Sequence, residues 1–283
     1  MSVSPEPPRL FLAMPERTRI APTPSGYLHA GNAVGFLITA RLASERKATL
    51  RLRIDDLDVE RARPAYIEDI FASLEWLGIQ WDEGPTGPAD HAARWSQELR
   101  VPRYTGLLTL LAAQDHLYAC TCSRRGIVAC TCRDQSNALD APGVSWRLRV
   151  PEPCPVEIKT LNGSASVDLA ALLHDPVLRQ RNGRPAYQIA SLADDVDHGT
   201  TLIVRGSDLL PSTACQLHLA GLLGLSSFAQ VRFLHHPLIT DVSGNKLSKS
   251  EGAASLKAMR EAGASLDGLR QQAGAVVEAL AAR

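Results

Sequence analysis

Strand and helix periods alternate along the first part of the chain. Apolar and polar residues alternate over 48–55, which is the period of a β-strand. Over 64–77 the apolar residues recur at helical spacing, with Pro64 at a favoured helix start and Gly78 at a favoured helix end. The pattern therefore predicts strands near Arg19 and over 48–55, and helices from about Gly31, over 64–77 and over about 97–114.

The middle of the chain, residues 120–184, has a different pattern. It contains short strand-like pieces at 144–150 and 156–159, separated by many turn residues. Helix and strand periods return in AYQIASLADD, TLIVRG, a helix over 211–223 and VRFLHHPLI. This order predicts a parallel α/β sheet with right-handed crossovers and an insertion between its two halves. Ligands of such sheets lie at the carboxyl ends of the strands, where His29 and Asp55 would fall.

Composition and charge limit the classes of protein to which the chain can belong. The 283 residues are 45% apolar, enough for one large or two small domains with a proper core. We expect a cytoplasmic protein, because the sequence has neither an export signal nor a membrane-spanning run. The formal net charge is zero, which argues against a surface covered in basic residues. A local nucleic-acid-binding patch, or simply a solvated loop, is possible around Arg124, Arg125, Arg133, Arg147 and Arg149.

A candidate phosphate site follows the first predicted strand. The segment RIAPTPSGYLHAGN ends in His29, Gly31 and Asn32, which fall at the turn between the strand and the next helix. Backbone N–H groups and the positive end of the helix dipole collect at such a turn, and both suit a polyphosphate. A His-x-Gly-Asn turn on its own is often an ordinary loop.

A second candidate phosphate segment is KLSKS, residues 246–250. Lys246 and Lys249 lie three residues apart in a loop marked by Gly244, and flexible lysines can stabilise a pyrophosphate leaving group. Alone, such a segment is usually a solvated basic turn. Together and in this order, the two segments indicate an enzyme that transfers an adenylyl group. The sequence has no GxxxxGK[ST] or GxGxxG motif, which excludes P-loop NTPases and NAD(P)-binding enzymes.

Four cysteines form a cluster of two Cys-Thr-Cys pairs within thirteen residues. In a reducing compartment, four thiols at this density favour a tetrahedral zinc site over disulfides, with a metal-free reduced cluster as the alternative. The other two cysteines, Cys154 and Cys215, have the pattern of small buried residues. The candidate metal ligands are Cys120, Cys122, Cys130 and Cys132.

As a set, the motifs resemble the catalytic domain of the glutamyl-tRNA synthetases, a class I aminoacyl-tRNA synthetase family. They are RIAPTPSGYLHAGN, LRIDDLDVERARP, LEWLGIQWDEGP, the DD of ADDVDHG, IVRGSDLL, HHPLI and NKLSKS, in the order of that family from Arg19 to Gly252. The first and last resemble the HIGH and KMSKS signatures. Only 33 residues, 251–283, follow KLSKS. This short sequence after KLSKS makes the chain similar to the truncated glutamyl-Q tRNA(Asp) synthetases, which lack the long helical anticodon-binding region.

This resemblance implies roles for the residues in the matching motifs. Arg205 would pair with the side-chain carboxylate of glutamate, because a planar guanidinium binds a carboxylate bidentately. Asp55 would meet the substrate ammonium. The glutamate-binding residues would be Arg19, Ala21, Thr23, Asp55, Tyr187 and Arg205. The ATP-binding residues would be His29, Gly31, Asn32, Leu238, Lys246 and Lys249, of which His29, Asn32, Lys246 and Lys249 would be catalytic.

Two positions depart from the family pattern. The family has Glu where this chain has Asp55, whose side chain is one methylene shorter. The substrate would then sit deeper, a water would bridge the gap, or Asp56 would help. The zinc site of the family includes a tyrosine where Val128 stands, and Cys130 is the natural substitute. The sequence leaves open whether Asp55 preserves glutamate specificity and whether Cys130 is a zinc ligand.

The activity implied by the resemblance is ATP-dependent, tRNA-independent activation of glutamate. Glutamate would then be transferred to queuosine, the modified base at the first anticodon position of tRNA(Asp). The implied cofactors are Mg²⁺ with the substrate ATP and one structural Zn²⁺, and a monomer is the default. The alternatives are a truncated enzyme that charges a tRNA 3′ end, a non-catalytic tRNA-binding paralogue, and a small-molecule adenylyltransferase. The intact His29 and KLSKS lysines disfavour the non-catalytic paralogue. The LRIDDLD and IVRGSDLL matches disfavour the small-molecule adenylyltransferase.

The expected architecture is an α/β class I synthetase fold. Its Rossmann-type parallel sheet would be interrupted by a smaller zinc-binding subdomain and followed by a short helical C-terminus. The predicted segments are an extension (1–18), the first half of the catalytic domain (19–118), the inserted acceptor-type subdomain (119–184), the second half with the KLSKS loop (185–252) and a helical end (253–283).

Overall fold

The computed structural model describes residues 15–122, 130–238 and 255–281. The strands in these ranges are β1 (Arg17–Ile20), β2 (Thr49–Leu52), β3 (Leu117–Cys120), β4 (Ser145–Leu148), β5 (Pro155–Lys159), β6 (Ser164–Asp168), β7 (Val177–Arg179), β8 (Leu202–Gly206) and β9 (Arg232–His236). The helices are α1 (Ala30–Glu45), α2 (Pro64–Leu77), α3 (Pro88–Asp90), α4 (Val101–Ala113), α5 (Leu169–Leu172), α6 (Tyr187–Asp197), α7 (Leu210–Leu222), α8 (Leu256–Glu261) and α9 (Asp267–Ala281).

Two pairs of parallel strands form the centre of the fold, β1 with β2 and β8 with β9. The backbone N–H of Thr201 donates to the carbonyl of Arg17 at 2.9 Å, which brings the start of β8 beside β1. Beyond β2, the N–H groups of Arg53 and Asp55 still donate to the carbonyls of Ile20 and Pro22. The extended course predicted over 48–55 therefore continues to Asp55, and the predicted parallel α/β arrangement is confirmed.

The core lies on both faces of these strands. Along β8, Leu202 and Val204 pack into a cluster with residues of α1, α2 and α9, whereas Ile203 packs into a cluster with residues of α4, α6 and α7. This alternation is expected because successive side chains of a strand point to opposite faces. Burial on both faces fixes the register of the strands and hence the position of the residues at their ends.

The inserted region forms an antiparallel sheet in the order β3, β4, β7 and a hairpin of β5 and β6. Its apolar residues, including Leu148 and Leu178, belong to the same buried cluster as Ile189 of α6 and Ile203 of β8. The insertion therefore shares its core with the parallel strands. The domain boundaries proposed from the sequence stay a prediction.

Local sequence signals explain why the ends of α2 agree with the prediction. Helix α2 spans the predicted residues, with Pro64 in its first turn and Gly78 in the left-handed region at φ 73°. The helix predicted over 97–114 divides into a 3-10 turn (Gln97–Arg100) and α4, which has a proline in its first turn. No helix within the described ranges combines the length and apolar character needed to cross a membrane.

Candidate active site

A cavity of about 540 Å³ opens at the carboxyl ends of β1 and β8. The sequence-predicted residues for glutamate and ATP that lie in the described ranges all line it. They are Arg19, Ala21, Thr23, His29, Gly31, Asn32, Asp55, Tyr187, Arg205 and Leu238. Lys246 and Lys249 lie outside the described residues. The structure thus brings together residues that are up to 219 positions apart (238 − 19) at one site, while their individual roles stay predictions.

The His-x-Gly-Asn turn forms the start of α1, as predicted. His29 is the N-cap residue, and its backbone N–H donates to Oδ1 of Asn32 at 3.0 Å. Because Oδ1 is engaged in this way, Asn32 would reach a ligand in the cavity through its amide N–H₂ group. Gly35, one turn further along α1, allows close approach of His236 from the end of β9, since a Cβ there would lie 3.2 Å from Nε2 of that ring.

On one side of the KLSKS segment the described chain lines the cavity, and on the other side it contacts residues that line it. Leu238, the last described residue before it, lines the cavity wall. Beyond the segment, Ser255 forms an antiparallel bridge with His29, and the N–H of Leu256 donates to the carbonyl of Leu28 at 2.7 Å. The chain therefore lies beside the His-x-Gly-Asn turn again at Ser255, five residues after the last residue of KLSKS.

An alternating row of buried charges includes Arg19 and Asp55, which line the cavity. Nε of Arg19 and Nη1 of Arg53 each lie 2.9 Å from Oδ1 of Asp195. Burial disfavours the Asp195 carboxylate, but Arg19, Arg53 and Arg205 outweigh burial and lower its pKa to about 2. Arg53 and Asp195 are the residues that sequence reasoning missed as parts of the site; the DD motif and the arginine of LRIDD are the signals that could have identified them.

Asp55 stands at the end of this row. It lines the cavity, and its two oxygens accept from Nε and Nη2 of Arg53 at 2.6 and 3.2 Å. Burial raises the pKa of Asp55, although Arg53 opposes the shift. The shorter side chain is thus already bound by a neighbouring cation, a contact that the expected role toward the substrate ammonium did not include.

Asp56 is committed to a different set of contacts. Its Oδ2 lies 2.9 Å from Nε2 of His91 and accepts from the Ser96 hydroxyl at 2.6 Å, while Oδ1 accepts from the Gln97 N–H at 2.8 Å. Burial opposes ionisation, but these bonds prevail and lower the pKa of Asp56. Asp56 is therefore a structural residue of the 91–97 turn, which disfavours the idea that it assists Asp55.

Arg205 is a buried charged residue at the cavity whose hydrogen-bond donors are only partly satisfied by other described residues. It is only 5% exposed, and its Nη1 donates to Oε1 of Gln216 at 3.0 Å. Within the described residues, its buried Nε and Nη2 have no hydrogen-bond partner. Its guanidinium lies 5.6 Å from the ring centroid of Phe233, and burial lowers its pKa. A buried cation with unsatisfied donors is costly unless an anion compensates it, so this residue favours a carboxylate in the cavity.

The four clustered cysteines converge at the end of β3, as predicted. All four sulfur atoms lie within 4.8 Å of one another, with 3.6 Å between Cys120 and Cys130 and between Cys122 and Cys132. Four sulfurs placed about 2.3 Å from a tetrahedral zinc ion are roughly 3.8 Å apart. The donor set and spacing therefore fit zinc, with Cys130 in the position of a fourth ligand.

Three of the five arginines considered as a nucleic-acid patch bind neighbouring groups of the inserted region. Arg147 is buried and donates to the backbone carbonyl of Asp175, and Arg133 pairs with the carboxylate of that residue. Arg149 donates to the carbonyl of Arg133. These three arginines link parts of the inserted region, and the Arg133 side chain remains 34% exposed, so the basic patch stays a prediction. Arg124 and Arg125 lie outside the described residues.

Comparison with known proteins places this site in a family. The sequence matches the family of tRNA synthetases class I (E and Q), catalytic domain, over residues 16–140 and 134–266. It is 36% identical to the glutamyl-Q tRNA(Asp) synthetase of Ralstonia nicotianae, covering 86% of this chain and 79% of that protein. It is 41% identical to that of Pseudomonas fluorescens, covering 82% of this chain and 75% of that protein.

Solved structures agree at the level of fold. The glutamate-tRNA synthetase of Elizabethkingia anophelis superposes with a TM-score of 0.66 at 23% sequence identity. The alignment covers 88% of this chain but 54% of that protein, so the chain spans about half the length of this solved synthetase. At this identity the likeness establishes the class I synthetase fold.

Proposed function

We propose a specific reaction for this chain, which belongs to the glutamyl-Q tRNA(Asp) synthetase family within the class I tRNA synthetases and is a ligase of the aminoacyl-tRNA synthetase type. In this proposal it activates glutamate with ATP in the absence of tRNA. It then transfers the glutamyl group to queuosine at the first anticodon position of tRNA(Asp). The observation that carries the proposal is the buried, incompletely bonded Arg205 at the cavity, a site suited to a side-chain carboxylate.

In the activation step, an oxygen of the glutamate α-carboxylate attacks the α-phosphorus of ATP. The new P–O bond forms as the bond to pyrophosphate breaks. No general base is needed, because the attacking carboxylate is already ionised. Rate enhancement then comes from positioning and from stabilisation of charge on the phosphates. His29 and Asn32 at the start of α1, with Lys246 and Lys249, would supply that stabilisation, and Mg²⁺ bound to ATP would neutralise further phosphate charge.

In the amino-acid pocket, opposite charges would hold the two ends of glutamate. Arg205 would bind the side-chain carboxylate and Tyr187 would contact it at the cavity wall. Asp55 would attract the ammonium while remaining bonded to Arg53. The row from Arg19 to Asp55 supports this arrangement, because it fixes the Asp55 carboxylate at the cavity without leaving an unpaired buried charge.

A charge-removing substitution tests the role of Asp55. Asp55→Asn should raise the KM for glutamate by about 10- to 100-fold, since a hydrogen bond to a charged group contributes roughly 1.5–3 kcal/mol. The KM for ATP should stay within twofold, because the His-x-Gly-Asn turn is unchanged. Initial-rate ATP–pyrophosphate exchange measures both constants. Asp55→Glu is the matched control and should keep a low KM for glutamate; an unchanged KM in Asp55→Asn would remove Asp55 from the pocket.

We further propose that one structural zinc ion is bound by Cys120, Cys122, Cys130 and Cys132, with Cys130 replacing the tyrosine of the family. Cys130→Ser should weaken zinc binding by at least about 10-fold, because a hydroxyl is a poor replacement for a thiolate ligand. Zinc content measured by mass spectrometry during titration with a chelator provides the test. Cys215→Ala, at a buried cysteine outside the cluster, should retain one zinc ion per chain. Equal retention by both variants would show that three cysteines suffice.

The activation step is tested by ATP–pyrophosphate exchange without tRNA, with glutamate, aspartate and glutamine supplied separately. We expect exchange with glutamate that far exceeds exchange with aspartate or glutamine. Exchange with aspartate or glutamine instead would show that the change to Asp55 has redirected the pocket. An absence of exchange from folded, zinc-replete protein would favour a non-catalytic paralogue. Transfer to the 3′ end of a tRNA is the competing acceptor chemistry, and a comparison of tRNA(Asp) with and without queuosine separates the two.

A further inference from the structure

We infer that Gln216 is a positioning residue that keeps Arg205 both oriented and uncompensated, and thereby makes the pocket select a carboxylate over a neutral amide. The inference rests on the proposed role of Arg205 toward the glutamate side chain. Gln216 lies in α7, behind the cavity, and is completely buried. It is not among the cavity-lining residues, so any effect on the substrate must pass through Arg205.

The contact between the two side chains is directional. Oε1 of Gln216 accepts from Nη1 of Arg205 at 3.0 Å, and no other hydrogen bond to this guanidinium is present in the described ranges. The guanidinium also lies 5.6 Å from the ring centroid of Phe233, a contact that involves no hydrogen bond. Gln216 is therefore the group that sets which edge of Arg205 remains available for a ligand.

The neutrality of Gln216 is as important as its bond. Asp195 is a carboxylate close enough to influence Arg205, yet its Oδ1 is already shared by Arg19 and Arg53. An amide partner orients Arg205 without neutralising it, so the positive charge is available to a substrate carboxylate. A carboxylate at position 216 would form an internal ion pair with Arg205 and repel the side chain of glutamate.

The buried amide itself indicates a functional constraint. Nε2 of Gln216 has no hydrogen-bond partner in the part of the chain that the structure describes, although its solvent exposure is nil. An unsatisfied buried amide donor is unfavourable for stability. Its presence directly behind an incompletely bonded arginine is explained if the pair is arranged for a ligand and not for maximal stability.

Two substitutions test this inference by ATP–pyrophosphate exchange with glutamate and with glutamine. Gln216→Glu should reduce the ratio of kcat/KM for glutamate to kcat/KM for glutamine by on the order of 100-fold, as expected when a buried charge is compensated internally. Gln216→Met removes the bond but leaves Arg205 charged, and should raise the KM for glutamate about 10-fold, the effect of one lost hydrogen bond to a charged group. The KM for ATP should not change in either variant.

The outcomes separate this inference from the proposed function. A purely structural role would lower activity with both amino acids alike, and an unchanged glutamate-to-glutamine ratio in Gln216→Glu would overturn the inference. If Gln216→Glu does not fold, an unchanged KM for glutamate in Gln216→Met would overturn it equally. Failure of the unmodified protein to exchange with glutamate would instead refute the proposed function on which the inference rests.

Discussion

Replacement of Arg205 by methionine should raise the KM for glutamate by about 10²–10³-fold, because removing one partner of a buried charge pair leaves the other charge unpaired. Methionine retains most of the side-chain volume, so the cavity wall should survive. In the unliganded protein Arg205 is a buried cation with unsatisfied donors. Its removal should therefore leave the melting temperature unchanged or raise it, in contrast to its effect on substrate binding.

Exchange kinetics and thermal melting of the same preparation measure the two effects of Arg205→Met. Arg205→Lys is the matched control: it keeps the charge but not the planar fork, so its KM for glutamate should lie between those of the unmodified protein and Arg205→Met. A lower melting temperature combined with an unchanged KM for glutamate would show that Arg205 serves the fold and not the substrate.

His29→Ala should lower kcat for glutamate activation by about 10²–10³-fold, by analogy with the loss of one donor to charge that develops in a transition state. The KM for glutamate should change little, because the amino-acid end of the cavity is formed by other residues. Lys249→Ala should give a loss of the same order, since both side chains are proposed to act on the phosphates.

Rates of exchange at saturating ATP and glutamate provide the measurement for His29→Ala. His174→Ala is a matched control, because this exposed histidine lies in the inserted region, away from the cavity at the strand ends. It should retain the exchange rate within about twofold, the range expected for a surface substitution. Comparable kcat values for His29→Ala and His174→Ala would remove the His-x-Gly-Asn turn from the chemistry.

Sequence reasoning succeeded where short-range signals determine the structure. The bounds of α2 follow from Pro64 and Gly78, which favour a helix start and a left-handed end for local steric reasons. His29 and Asp55 could be placed at the cavity because each comes shortly after a predicted strand, whereas the other cavity residues were taken from the family resemblance. In a parallel sheet, the ends of neighbouring strands meet at one edge.

Long-range contacts could not be predicted in the same way. The ion pair of Arg53 and Asp195 joins residues 142 positions apart and depends on how α6 packs against the strands. The inward orientation of Arg147 depends on Asp175, which follows after two further strands of the insertion. The sequence shows that several arginines lie close together along the chain. Only the packing of the folded protein determines whether each of them is exposed to solvent or bonded inside the protein.

The charged row also gives a physical meaning to the departure at Asp55. Arg53 binds both oxygens of this shorter side chain, and Arg53 is bound in turn by Asp195. The carboxylate is therefore held in place by fixed neighbours and would not need the substrate for its orientation. We expect this pre-organisation to offset part of the reach lost with one methylene.

The most direct test of the proposed function is transfer of radiolabelled glutamate to purified tRNA(Asp). Four substrates are compared: tRNA(Asp) with and without queuosine, each with an intact 3′ end or lacking the terminal adenosine. We expect incorporation to require queuosine and to be insensitive to removal of the 3′ adenosine. Incorporation that requires the 3′ adenosine and ignores queuosine would contradict it and identify the chain as an enzyme that charges the 3′ end.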